Sequence, residues 1–154
     1  MDATQKIDDF SLTLKNIVVA HECTYYINSV YDCPKGRSTY GLIYILSGEL
    51  DYRFYDGRTL KVKAGDTFLL KPNDGYKVTS PTICRHYTVN FLLSRAPITG
   101  DVAKRVFLAP DTTILGKEDS DRYQLDEFEE LCSVWSEKAA GYQIRAMSLL
   151  YNLL

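Results

Sequence analysis

The chain has 154 residues, enough for one domain with a substantial core and too few for two of ordinary size. It is 45% hydrophobic and 25% charged with a net charge of -2, the balance of a soluble globular chain rather than a disordered one. A domain that grips DNA or RNA carries a basic surplus gathered on one face. None is visible, so this segment is not expected to contact nucleic acid itself.

The N-terminal "MDATQKIDDF" is polar and acidic, neither a signal peptide nor an organelle presequence. No apolar run approaches the ~20 residues of a membrane helix, so a cytoplasmic protein without a membrane partner is expected. Residues 11–93 are rich in Tyr, Val, Ile, Thr and Gly and break at turn signals every few residues, as in an all-β sandwich or barrel. Residues 11–20 and 24–30 read as strands, and "YDCPKGRS" as a loop. "YGLIYIL" (40–46) is almost unbroken apolar sequence, a strand buried on both faces. "SGELDYRF" then alternates, with Leu50, Tyr52 and Phe54 on one face and Asp51 and Arg53 on the other. Asp56-Gly57 is a hairpin turn, and "TLKVKA" puts Leu60, Val62 and Ala64 inward. "DTFLL", "YKVTS" and the long "TICRHYTVNFLL" (82–93) complete the strands.

After Arg95 a connector with two prolines leads to a helical period from about Ser120, in which Leu125, Phe128, Leu131, Cys132 and Trp135 recur at three- and four-residue steps between acidic residues. Gly141 interrupts, and a second helix, "YQIRAMSLLYNLL", runs to the last residue without a stop signal. A helix ending on an apolar face suggests that more protein follows. The expected organisation is a β-barrel with an N-terminal arm over residues 1–95, then a connector and C-terminal helices over 96–154.

Chemistry-bearing groups are few. The two histidines and four cysteines show no CxxC or other metal-ligand spacing, so no metal is expected and the thiols read as reduced. There is no GxSxG elbow and no GxxxxGK or GxGxxG loop, and the acidic residues fall on turns or on a solvated helix face. No catalytic residues and no cofactor are expected. The long strand is more informative: Cys84, His86, Thr88 and Asn90 form a polar, uncharged row opposite Arg85, Tyr87, Val89 and Phe91. Such a row suits the lining of a cavity around a small polar ligand. The twelve tyrosines, with rings for stacking and hydroxyls for hydrogen bonds, suit the same purpose.

In order, "RSTYGLIYILSGEL", "LKVKAGDTFLLKPNDGYKV", "YTVNF" and the closing "YQIRAMSLLYNLL" resemble the N-terminal effector-binding and dimerisation domain of AraC/XylS-family transcription regulators. The resemblance covers essentially the whole chain. It implies a mostly β, cupin-like jelly-roll (double-stranded β-helix) barrel followed by two helices. Metal cupins place ligands where this chain has Pro34, Gly36, Gly41 and Tyr76, so all four are missing. The frame is therefore that of a cupin without its metal chemistry, as befits a sensor of an organic effector.

By position, the arabinose-responsive member of the family implies ligand contacts here from the segment around Tyr25 and Tyr26, with Tyr26 singled out, from the loop over residues 33–37 before the apolar strand, with Arg37 singled out, and from Cys84, His86 and Thr88 on the long strand, with Tyr76 also facing inward. That member's sugar-stacking tryptophan falls on Thr88, so its stacking mode is not carried over. The resemblance further implies a sugar-like effector, a homodimer whose seam is Leu125, Phe128, Leu131 and Trp135, and DNA contact only through a C-terminal domain not in this chain. The alternatives are a stand-alone cupin enzyme of the sugar isomerase or epimerase type, and a domain that only dimerises.

Overall fold

The structure, a computed structural model, describes residues 13–94, 113–116 and 122–154. The N-terminal arm, most of the connector and the boundary expected at residue 95 lie outside them. Nine strands are seen among the described residues: β1 (Thr13–Tyr25), β2 (Val30–Cys33), β3 (Tyr40–Ser47), β4 (Glu49–Phe54), β5 (Thr59–Lys63), β6 (Thr67–Leu70), β7 (Tyr76–Thr79), β8 (Cys84–Ser94) and β9 (Thr113–Gly116). Helices α1 (Arg122–Glu137) and α2 (Tyr142–Leu153) follow. The strands form two antiparallel sheets, one ordered β1-β8-β3-β6-β9 and the other β2-β7-β4-β5. Most chain neighbours thus lie in different sheets, the exceptions being the β4–β5 hairpin and the pair β8 and β9, and the architecture is the expected cupin-like jelly roll with two C-terminal helices.

The apolar run of β3 is explained by two separate cores. Leu42 and Tyr44 face outward into a core shared with β1, β8 and the helices, which includes Leu14, Ile17, Val89, Phe91, Phe128, Leu131 and Leu150. Ile43 and Ile45 face inward among Leu50, Tyr52, Phe54, Val62, Phe68, Leu70, Tyr76, Val78 and Cys84. The helices thus cover one sheet, while the outer face of the other meets solvent through Arg53, Lys61, Lys63 and Lys77.

Some local expectations shift. The first two strands are instead one long strand, β1, paired with β8 along its whole length with two register irregularities, at Lys15 and Val18. The chain then reverses at Asn28, whose φ of 62° is accessible to asparagine, and the first residues of the expected loop become β2 by pairing with β7. Ala64 lies past the end of β5 and is exposed rather than inward.

The stripe assigned to a dimer seam is largely used within the chain. Phe128 and Leu131 are fully buried. The Phe128 ring sits 5.6 Å from Tyr44 and 6.3 Å from Tyr87. Side chains enclosed by their own barrel cannot also meet a second copy, so these two are removed from the seam; Leu125 and Trp135 remain partly exposed. Trp135 packs edge-on against Tyr142 at 5.4 Å, joining α1 to α2. No helix among the described residues is long and apolar enough to cross a membrane.

Candidate functional site

Strand alternation decides which side chains meet between the sheets. Strand β8 sends Cys84, His86, Thr88 and Asn90 to the interior, and the first three are buried. The β1–β8 register sets Cys23 opposite His86 and Tyr25 opposite Cys84, so both β1 side chains join the row. The Tyr25 ring meets His86 edge-on at 4.9 Å. From the facing sheet come Tyr52 and Tyr76, with ring centres 5.4 Å apart. Tyr31 of β2 stands 6.4 Å from Tyr76. The result is an aromatic wall facing a polar row.

Arg37 enters this space from the loop between β2 and β3. Gly36, at φ +73°, turns the chain beside Asn73. The Asn73 N–H then donates to the Arg37 carbonyl at 2.8 Å, and Arg37 bridges to Pro72. So held, the side chain reaches inward, and its Nη2 donates to Asn90 Oδ1. Asn90 lies opposite Gly41 in the β3–β8 register, and Gly41 leaves the room the guanidinium occupies: a Cβ there would stand 2.9 Å from Cζ. The position where a metal cupin would present its glutamate is therefore a glycine beneath a cation.

The surrounding groups are held neutral. Burial raises the phenols of Tyr25, Tyr52 and Tyr76, with the Arg37 charge acting against it. Burial likewise raises the Cys23 thiol, and pushes that of Cys84 up to about 11. Burial also drives the His86 imidazole down to about 4, aided by the charges of His21 and Arg37. His86 is thus an uncharged ring at neutral pH, and its Nδ1 is buried without a hydrogen-bond partner among the described residues. No carboxylate pairs with Arg37 among the described residues; the one buried carboxylate, Asp66, accepts from the Lys63 N–H in a turn. Among the described residues, the interior thus carries one permanent positive charge among hydroxyls, thiols, an amide and a neutral imidazole. That is equipment for binding rather than for nucleophilic attack.

Of the residues singled out in the sequence, Arg37, Tyr76, Cys84, His86 and Thr88 converge here. Tyr26 does not: it lies in the turn after β1, one residue past inward-facing Tyr25, and is 69% exposed. The period-2 alternation of the strand makes Tyr25 the inward residue. Asn90, the fourth residue of the row read from the long strand, joins those that converge, and Tyr52 and Cys23 are additions. Tyr52 and Asn90 are visible in the alternation of their own strands, whereas Cys23 requires the β1–β8 register. All four cysteines are free, and among the described residues no group of three or more His, Cys, Asp or Glu could hold a metal ion.

This architecture occurs in known proteins. ToxT from Vibrio cholerae, in a structure bound to (E)-4-(8-methylnaphthalen-1-yl)but-3-enoic acid, matches 90% of this chain and 54% of its own at 14% identity, with a TM-score of 0.55. A second ToxT structure matches 77% of this chain and 48% of its own, also at 14% identity, with a TM-score of 0.52. The chain therefore spans about half the length of ToxT. A cupin superfamily protein from Desulfitobacterium hafniense matches 46% of this chain and 63% of its own at 11% identity, with a TM-score of 0.42. No curated protein matches the chain. Residues 17–154 match the AraC-like ligand binding domain, and the chain belongs to that family.

Proposed function

We propose that this chain is the effector-sensing part of an AraC-type transcription regulator, taking a small polar molecule of the sugar class into the barrel. The observation that carries this reading is Arg37, folded inward to Asn90 and over Gly41 at a place where a surface arginine would ordinarily turn to water. Membership of the ligand-binding family supports a regulatory rather than catalytic role. In this reading the effector shifts the balance between two arrangements of the domain, by no more than its difference in affinity for them. DNA contact belongs to a further domain, and the setting is cytoplasmic.

A homodimer is part of the proposal. With Phe128 and Leu131 enclosed, its seam falls to Leu125, Trp135 and the outer face of α2, where Ile144 is 78% exposed. Sedimentation of the wild type and of Ile144→Asp tests it: loss of a dimer in the variant supports this seam, and a monomeric wild type removes it.

The effector reading is tested by a thermal-shift screen of sugars and small polar metabolites. A true effector raises the melting temperature, since binding at about 100 times Kd stabilises by about 2.7 kcal/mol. Turnover of a sugar by protein carrying stoichiometric metal would instead favour a cupin enzyme.

A further inference from the structure

Among the described residues, the interior has an unbalanced charge. A guanidinium offers five N–H donors and no acceptor, yet among the described residues Arg37 meets a single side-chain acceptor, the neutral Asn90 Oδ1. Every other titratable group described as facing it, Cys23, Tyr25, Tyr52, Tyr76, Cys84 and His86, is neutral at pH 7. A neutral ligand settling over Arg37 would strip water from the cation without replacing the lost charge stabilisation. An anion would replace it, and more strongly here than in water because the surroundings are protein. Around that charge, the Nδ1 of His86, without a partner among the described residues, and the hydroxyl of Thr88, which also pairs with the Cys23 thiol, can engage hydroxyl groups. The rings of Tyr52 and Tyr76, tilted 59° to each other, add aromatic surface beside that charge.

We infer that the effector is a small hydroxylated carboxylic acid of the sugar-acid type rather than a neutral sugar, its carboxylate received by Arg37 and its hydroxyls facing His86 and Thr88. This rests on the effector-binding reading and narrows it. Gly41 has a part in the selectivity, because a side chain there would displace the guanidinium that recognises the acid.

The test compares matched acids and neutral sugars on the 154-residue chain at constant ionic strength. Sodium D-gluconate and D-galacturonate are set against D-glucose and D-galactose by thermal shift and titration calorimetry, with wild type, Arg37→Gln and Arg37→Lys. At about 10 mM the acids are expected to raise the wild-type melting temperature by several degrees and the neutral sugars by less than about one. Arg37→Gln should weaken acid binding at least about tenfold, and Arg37→Lys, which keeps the charge but not the fork, should retain part of it. Should Arg37→Gln fail to fold, Asn90→Ala provides the second variant, with weakened acid binding expected. Neutral sugars binding as well as the acids, or acid binding undiminished in the folded variant, would overturn the carboxylate while leaving an effector domain. If no acid and no sugar moves the wild type, the carboxylate falls and the effector-domain reading falls with it.

Discussion

Arg37 and Gly41 fit each other: the guanidinium occupies the space where any other residue at position 41 would place its Cβ, 2.9 Å from Cζ. The obstructing atoms are the far end of a flexible side chain, so a methyl at position 41 can push them aside. Gly41→Ala is therefore expected to keep stability within about 1 kcal/mol of the wild type, since alanine costs a strand less backbone entropy than glycine. The same change swings Arg37 off Asn90 and should weaken effector binding by about tenfold, a loss of about 1.4 kcal/mol. Urea denaturation and ligand titration on one preparation separate the two effects.

Gly36 behaves differently. Its φ is +73°, and an added Cβ would stand 2.6 Å from the Asn73 carbonyl carbon, a backbone atom that cannot rotate away. Gly36→Ala should destabilise by about 2–3 kcal/mol through strain and a broken loop contact, and should loosen Arg37 as well. A lowered urea midpoint with unchanged slope is the expected result.

Phe128 is fully buried and packs on the rings of Tyr44 and Tyr87. Phe128→Ala should cost about 3–5 kcal/mol, from lost burial and the cavity left behind. Exposed Ile144 gives the contrast: Ile144→Ala should change monomer stability by no more than about 0.5 kcal/mol. Chemical denaturation at low protein concentration measures both without a contribution from association.

His86 should make the fold sensitive to mild acid. Its folded-state pKa is lowered from 6.5 to about 4, so between these values the unfolded chain binds a proton that the folded chain refuses. The stabilising contribution is therefore complete above about pH 6.5 and is lost as the pH falls towards 4, at no more than about 1.4 kcal/mol per pH unit. His86→Gln should flatten this part of the stability–pH profile relative to the wild type. Parallel profiles for the two proteins between pH 7 and 4.5 would show that His86 is not the group responsible.

Much of this protein was determined by local pattern. The alternation of Leu50, Tyr52 and Phe54 could serve only a strand with one buried face, and the unbroken apolar run of β3 required burial on both. The row Cys84, His86, Thr88 was likewise set by a period of two. Pairing decided the rest. Which way Tyr25 and Tyr26 point depends on where β1 stops, and that follows from its register with β8. Whether Phe128 and Leu131 face a partner or their own barrel depends on a sheet distant in sequence, because an amphipathic stripe states only that it must be covered. Arg37 shows the same limit most plainly: a loop arginine is a surface residue until Asn90 and Gly41, brought opposite each other by the β3–β8 ladder, provide an acceptor and a space for it inside.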